Sequence, residues 1–187
     1  MTIRTTVRRT AAALAVAGVA AGTGAFFATS ASAAPAGGDE PTVFACTSNQ
    51  FTTKLVPGDA GAGQRHGALQ FTANPGERCY LPGRIDVNLV GAHNVLINNE
   101  ADANAPAVPL SNGSSAYVQL HWTGIASEEE QQTPNGITVT APSDTNMRGD
   151  YIDPNVLVDW NLGAVDANEG SHTIDVGAMT QGEAPTA

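Results

Sequence analysis

Four histidines have the clearest potential for metal chemistry in this sequence. Imidazole nitrogens and carboxylate oxygens are common ligands of divalent metals, and the chain is rich in carboxylates. The histidines are His66, His93, His121 and His172. None lies at a short ligand spacing such as H-x-x-x-H, so a site would have to be assembled by the fold. We therefore predict no metal site and no cofactor, and we expect exposed or half-buried structural histidines, with His121 on the polar face of its strand.

One segment matches the first half of a calcium-binding loop. Asp144, Asn146 and Gly149 have suitable spacing, but Arg148 stands where an oxygen ligand belongs and Asn155 where the bidentate glutamate should be. The segment is therefore not predicted to bind calcium.

Patterns for nucleophilic catalysis are also missing from the sequence. No serine lies in a G-x-S-x-G elbow, no S-x-x-K occurs, and neither cysteine has a local protease signature. The stretch Gly61-Ala-Gly63 lies between two predicted strands and precedes no helix, so a hairpin turn explains it better than a phosphate-binding loop. We predict no catalytic residue and a non-enzymatic protein.

The aromatic residues divide into a predicted core pair and candidates for surface contact. Trp122 and Trp160 share the face of their strands' aliphatic residues, which favours the core over a carbohydrate-binding surface. Tyr80, Tyr117 and Tyr151 are the better candidates for exposed contacts. The glycosylation sequon at Asn112 to Ser114 is interpreted as a turn before a strand.

Charge and composition exclude whole classes of partner. The 187 residues include 8 basic and 18 acidic side chains, for a net charge of -10. Such a chain cannot coat a phosphate backbone or an anionic membrane surface. Nucleic acid is therefore excluded as a partner.

The first 33 residues have the pattern of an export signal. Arg4, Arg8 and Arg9 precede an apolar Ala-rich stretch, and Ala31 to Ala33 form a small-x-small cleavage site. We predict a signal peptide over 1–33, a flexible leader over 34–43, one domain over 44–180 and a flexible tail over 181–187, with no membrane insertion after cleavage. Export by the general secretory route and export by the twin-arginine route both remain open.

Cys46 and Cys79 are the only cysteines, and both would reach an oxidising compartment. An even count there favours a disulfide bond over a metal site. The bridge would stabilise the fold by roughly 4 kcal/mol on the chain-entropy model.

Hydrophobic residues recur with a period of two, which is typical of half-buried β-strands. Gly, Pro, Asn and Asp clusters separate the segments, and outside the signal no helix of useful length is predicted. The predicted strands cover 51–56, 66–73, 87–90, 95–97, 107–110, 116–122, 136–141, 156–162 and 173–179. Seven to nine short strands predict an all-β, antiparallel sandwich.

Several of these segments together resemble a known family. They are Cys46, Gly61-Ala-Gly-Gln64, Leu69-Gln-Phe-Thr72, Cys79-Tyr-Leu-Pro-Gly83, Leu120-His-Trp122 and Ile137-Thr-Val-Thr-Ala-Pro142. The chain resembles, from about Phe44 to Met179, the secreted family called domain of unknown function 4232, common in high-GC Gram-positive bacteria. The resemblance implies an immunoglobulin-like sandwich with no assigned activity.

Members of that family usually carry a second cysteine pair, in places where this chain has two loops without cysteine. The loops cover 123–135 and 163–172, and we expect them to be less constrained and to form an acidic rim. Their charged residues are Glu128, Glu129, Glu130, Asp166 and Glu169, with His172 beside them. The rim is either a weak site for a cation or a basic partner, or a solvated, self-repelling pair of loops that keeps the protein soluble.

The sequence favours a secreted, non-enzymatic binding or cell-surface interaction module, with an unknown protein or cell-wall partner. The alternative is an extracellular enzyme or metal-handling protein whose site forms only in the fold, as convergence of His93 and His121 on a carboxylate would indicate. A structural envelope protein with an exposed edge strand is a third possibility. The oligomeric state is left open.

Overall fold

The structure, a computed structural model, describes residues 42–187. The predicted signal peptide, 1–33, and nearly all of the predicted leader lie outside the described residues. Within them there are thirteen strands and two short 3-10 turns, Ser48–Gln50 and Glu128–Glu130, and no α-helix. The strands are β1 (Phe51–Gly61), β2 (Gln64–Ala73), β3 (Arg78–Leu81), β4 (Val87–Val90), β5 (Leu96–Asn99), β6 (Val108–Ser111), β7 (Ser115–Thr123), β8 (Gln131–Gln132), β9 (Gly136–Thr140), β10 (Asn155–Asp159), β11 (Val165–Asp166), β12 (Thr173–Val176) and β13 (Thr180–Gln181).

The strands form one large sheet, one medium sheet and two short pairs. The large sheet has the order β1-β2-β7-β12-β5, with β13 paired to β7, and the three-stranded sheet has the order β10-β9-β4. The short pairs are β11-β8 and β3-β6. The all-β class is therefore confirmed, but the sheets are not wholly antiparallel, because β12 pairs with β5 in parallel. A parallel pair needs a long connection, and here residues 100–172 lie between the two strands.

One hydrophobic core receives side chains from both larger sheets. Leu69, Val118 and Trp122 enter it from the large sheet, and Ile137 and Val139 enter it from the three-stranded sheet. These residues alternate with polar ones along each strand, as the period of two predicts.

The two tryptophans belong to this core, as predicted. Trp122 is 2% exposed and Trp160 8%. Their rings meet edge to face with centroids 5.6 Å apart. Both indole N–H groups are satisfied, because Trp122 donates to the carbonyl of Ala164 at 3.0 Å and Trp160 to that of Gly163 at 2.7 Å.

The first hairpin is tighter than the sequence predicted. The stretch 57–63 was expected to be a loop, but β1 continues to Gly61 with a register shift between Pro57 and Ala60. Pro57 is tolerated because β1 is an edge strand, where a missing N–H need not break the ladder. The turn itself is Ala62 and Gly63, both with positive φ (50° and 83°).

Other strand boundaries depart from the predictions in understandable ways. The strand β3 was missed because only four residues of mixed polarity form it. The predicted strand 156–162 ends at Asp159, since Trp160 turns into the core, and 173–179 ends at Val176. The turn predicted at the sequon is confirmed, with Asn112 and Gly113 at φ 41° and 85° between β6 and β7.

The C-terminal segment departs from the predicted flexible tail as far as Ala184. Gln181 belongs to β13, which pairs with β7. The Ala184 N–H donates to the side-chain oxygen of Gln70 at 2.8 Å. Ala184 is buried with Val56 and Ala68, and Tyr117 packs against the same cluster. The buried amide of Gln70 therefore gains a partner from the tail.

The predicted disulfide bond joins Cys46 to Cys79, both fully buried, with their Cα atoms 4.9 Å apart. Such a bond fits an extracellular protein. In the described part of the chain, no helix is long and apolar enough to cross a membrane.

Candidate functional site

A surface depression lies beside the disulfide bond, and we call it the bridge groove. Its volume is about 570 Å³. It is lined by residues of the segment from Val43 to Thr47, by Gln50, Arg78 and Tyr80, and by the start of the loop that follows Pro142. The side chains most relevant to binding are Phe44, Gln50, Arg78, Tyr80, Asn146 and Met147.

Backbone pairing positions the floor of the bridge groove. The Cys46 N–H donates to the carbonyl of Tyr80 at 3.0 Å, and the Tyr80 N–H donates to that of Phe44 at 2.9 Å. On the other side, the Ser143 N–H donates to the Cys46 carbonyl at 3.1 Å. Because successive side chains of a strand alternate, burial of Cys79 leaves Tyr80 facing outward. Phe44 is exposed at the start of the described chain, before the segment enters the core at Cys46.

One wall of the bridge groove is a loop held by its own hydrogen bonds. The side-chain oxygen of Asn146 accepts from the N–H groups of Arg148 at 2.9 Å and Asp150 at 3.0 Å. The Ile152 N–H also donates to the Asp144 carbonyl, at 2.7 Å. This is the segment with the partial calcium pattern, and its Asn146 oxygen is already occupied by two donors. The loop is therefore a preorganised wall.

The rim of the bridge groove concentrates exposed apolar and aromatic surface. Phe44 is 48% exposed, Met147 79% and Tyr151 70%. Tyr151 lies next to the groove, where its backbone pairs with that of Thr145, a lining residue. Of the three tyrosines predicted to make surface contacts, Tyr80 lines the groove and Tyr151 is exposed beside its wall, while Tyr117 packs under the C-terminal segment.

A second feature is a polar row across the outer face of the large sheet, which we call the histidine row. His66 on β2 is paired with His121 on β7, and His121 is paired with Asp175 on β12. The two imidazole rings stack with centroids 4.7 Å apart and an interplanar angle of 20°. Asn98 on β5 donates to Asp175 at 2.8 Å.

The other two histidines lie elsewhere. The backbone N–H of His93 donates to the Gln132 side chain at 2.8 Å, and a ring nitrogen of His172 lies 2.7 Å from the Asn168 carbonyl oxygen. The convergence of His93 with His121 that would have indicated a metal or catalytic site is therefore not formed. The partner of His121 is His66. This pair was not predicted, because the register between two strands cannot be derived from the pattern of either strand alone.

The surroundings of His121 do not form a nucleophilic constellation. Its Nδ1 lies 3.6 Å from a carboxylate oxygen of Asp175, and its Nε2 lies 2.6 Å from the side-chain oxygen of Gln64. A nucleophile–base pair would need a hydroxyl or thiol at Nε2. Over residues 42–187, no three His, Cys, Asp or Glu side chains are arranged around a common metal position.

The loops 123–135 and 163–172 do meet, but one member of the expected acidic rim is internal. Asp166 is fully buried. Its carboxylate accepts hydrogen bonds from the N–H groups of Ile125 and Ala126, both at 3.0 Å, from the Gln131 amide at 3.1 Å and from the Ser171 hydroxyl at 3.2 Å. Burial raises the pKa of Asp166, but these hydrogen bonds outweigh burial and bring the pKa below its ordinary value of 3.8.

This network corrects the expectation that the two loops are weakly constrained. The strands β8 and β11 pair between them, and the Ala167 N–H donates to the Glu130 carbonyl at 2.7 Å. Among the residues of the predicted rim, Glu128, Glu129 and Glu130 lie at the surface. Asp166 is removed from it, because a carboxylate with four donors has no need of an external cation.

Fold and surfaces together define a disulfide-bridged all-β domain with one groove at its bridge. A family model described as "Domain of unknown function (DUF4232)" matches residues 46–180. The chain therefore belongs to this family, as the resemblance indicated. Neither the curated proteins nor the solved structures include a match.

Proposed function

We propose that this protein is a secreted, non-enzymatic binding module that holds a cell-wall or surface-protein partner in the bridge groove. The observation that carries the proposal is the groove itself, where Phe44 and Met147 expose large side chains in the lining of a depression of about 570 Å³ and Tyr151 is exposed beside it. Exposed apolar surface gathered around a concave site is typical of binding surfaces.

The groove also offers polar groups that would orient a ligand. Arg78 and Gln50 lie in its lining beside Tyr80 and Asn146. The planar guanidinium of Arg78 provides directional hydrogen bonds, and tyrosine presents an apolar face with a polar tip. The amides of Gln50 and Asn146 are bonded within the protein and hold the lining in place. This mixture suits an extended chain that carries both polar and apolar groups.

Rigidity supports recognition at the same place. The disulfide bond fixes the floor of the groove, and the Asn146 hydrogen bonds fix its wall. Surfaces that are already ordered lose less conformational entropy on binding, so more of the contact energy contributes to affinity.

An immunoglobulin-like sandwich is the architecture we propose for this module. It is supported by a large and a three-stranded sheet that share one core, and by Trp122 of one packing on Trp160 at the end of the other. Export through the predicted signal peptide 1–33 would place the module outside the cell, where its disulfide bond is stable.

A retention experiment tests the function. The secreted chain is passed over isolated cell-wall material and over surface-protein extracts, and bound protein is quantified. We expect retention on one material with saturable binding, and a loss of at least about tenfold in the combined variant Phe44→Ala, Met147→Ala and Tyr151→Ala, because truncating such contacts removes several kcal/mol.

The matched control removes exposed apolar side chains far from the bridge. Val90, Leu96 and Leu157 are exposed residues of β4, β5 and β10. Their combined replacement by alanine is expected to leave retention unchanged. Equal retention of the groove variant and the wild type would refute binding through the groove.

A further inference from the structure

We propose that the histidine row is a surface site for a divalent transition metal ion and that it binds Cu²⁺ most tightly. His66 and His121 supply two imidazole nitrogens and Gln64 supplies an amide oxygen. This site is separate from the bridge groove and does not depend on the proposed binding function.

The spacing of the two rings fits one shared ion. Two nitrogens that each bind a metal at about 2.0–2.1 Å lie no more than about 4.2 Å apart. The ring centroids of His66 and His121 are 4.7 Å apart, on residues paired directly across neighbouring antiparallel strands. Rotation of the exposed His66 ring and the half-buried His121 ring can therefore bring one nitrogen of each to a shared ion.

Gln64 places an oxygen at the same position. It lies two residues before His66, on the same face of β2, and its side-chain oxygen is 2.6 Å from Nε2 of His121. No hydrogen bond to another described residue holds the His66 ring. The three donor groups thus come from two adjacent strands and face solvent, with positions left open for water.

Asp175 and Asn98 act as positioning residues behind His121. Nε2 of His121 donates its hydrogen to the Gln64 side-chain oxygen at 2.6 Å, so binding of a metal at Nε2 requires that hydrogen to move to Nδ1. The Asp175 carboxylate, 3.6 Å from Nδ1, lies on the side where it favours the Nδ1 hydrogen of the metal-bound ring. Asn98 holds the carboxylate by donating to its other oxygen at 2.8 Å. Carboxylates in this position commonly orient metal-binding histidines.

The choice of metal follows from the ligand set. Imidazole suits copper, nickel and zinc, and affinity at a given nitrogen and oxygen site rises to a maximum at Cu²⁺. Hard cations such as Ca²⁺ prefer sites made of oxygen alone. The net charge of -10 further favours cation binding near this face.

The test titrates the full chain, free of any affinity tag, with Cu²⁺ and separately with Zn²⁺, and measures binding by calorimetry. The electron paramagnetic resonance spectrum of the copper complex reports the nitrogen ligands. We expect one Cu²⁺ per chain at this site, coupling to two imidazole nitrogens, and weaker Zn²⁺ binding. His66→Ala and His121→Ala should each weaken Cu²⁺ binding at least tenfold.

His93→Ala and His172→Ala are the matched controls, because they remove histidines of the same protein that lie outside the row. Neither should change the affinity. Asp175→Asn should weaken binding by about tenfold to a hundredfold without removing a nitrogen from the spectrum. His66 is exposed, so its variant tests the site even if His121→Ala alters folding. Equal Cu²⁺ affinities of wild type and His66→Ala, or a loss in the His93→Ala control, would overturn the proposal.

Discussion

The two ends of the domain join distant stretches of chain by different chemistry. At the bridge end, a covalent bond links Cys46 to Cys79, 33 residues apart in sequence. The second junction is not covalent, and we call it the carboxylate plug. There Asp166 joins the loops 123–135 and 163–172 through four hydrogen-bond donors. These loops contain no cysteine, and a buried charge links them instead of a covalent bond.

The difference determines which conditions weaken each junction. A disulfide bond acts largely by restricting the unfolded chain, and it responds to reductant. The carboxylate plug acts in the folded state, where charge-assisted hydrogen bonds offset the cost of burying a charge, and it responds to acid. Reduction and acidification should therefore affect the two junctions separately.

The largest expected effect is on the packing beneath the carboxylate plug. Trp122→Ala should lower the free energy of unfolding by about 3–5 kcal/mol, because it removes a buried ring and its contact with Trp160. Denaturant unfolding measures the change, and the exposed Leu157→Ala is the control, expected within about 0.5 kcal/mol of wild type. An unchanged midpoint for Trp122→Ala would contradict a core position.

The bridge end should contribute nearly as much. Replacing both Cys46 and Cys79 by alanine should lower the free energy of unfolding by about 4 kcal/mol, as expected for a loop of this length. Reductant should destabilise the wild type by a similar amount and leave the double variant unaffected. Alkylation of two thiols in the native, unreduced protein would show that the bond is absent.

The carboxylate plug should contribute somewhat less and depend on pH. Asp166→Asn keeps the shape of the side chain but loses its charge, and we expect a loss of about 2 kcal/mol near neutral pH. Because the folded pKa of Asp166 lies below 3.8, its stabilisation is complete above that pH and is lost as the pH falls through the folded pKa.

Comparison of denaturant unfolding between pH 7 and pH 2 tests this prediction. The difference between wild type and Asp166→Asn should stay constant down to about pH 5 and shrink at lower pH. Reductant should leave that difference unaltered. A difference that is constant across the whole range would mean that the Asp166 charge does not hold the loops together.

The smallest effect is expected at the exposed carboxylates beside the plug. Replacing Glu128, Glu129 and Glu130 together by glutamine should change stability by no more than about 0.5 kcal/mol, since solvated charges contribute little. Thermal unfolding of this variant and of Asp166→Asn would separate the exposed acids from the buried one. A loss as large as that of Asp166→Asn would contradict the distinction.

Much of the strand framework was predictable because it depends on local pattern. The strand β4 was predicted with its observed bounds, and the core position of Trp122 followed from alternation along β7. Two-residue strands such as β8 and β11 were not predictable, because their pairing depends on partners far away in the chain. The bulge after Pro57 was missed for the same reason, since its edge location is a property of the sheet.

The candidate sites were predictable only as separate residues. Tyr80 and Tyr151 were expected to make surface contacts, yet their places at and beside one groove depend on the bridges of Ala45 with Tyr80 and of Thr145 with Tyr151. His121 was expected on a polar face, but its neighbours His66 and Asp175 follow from the register of three strands.

The sequence by itself determined the all-β class, the tryptophan core and the family, since each depends on residue type and on patterns within short segments. It also determined the disulfide bond, because the chain has only two cysteines. Tertiary structure alone decided that Asp166 is buried and that His66 stacks on His121. It also decided that the tail covers Gln70 and that a groove opens beside the bridge. The reason is physical: these arrangements depend on which strands become neighbours and in which register. A local pattern does not encode that choice, because it is made by the packing of the whole core.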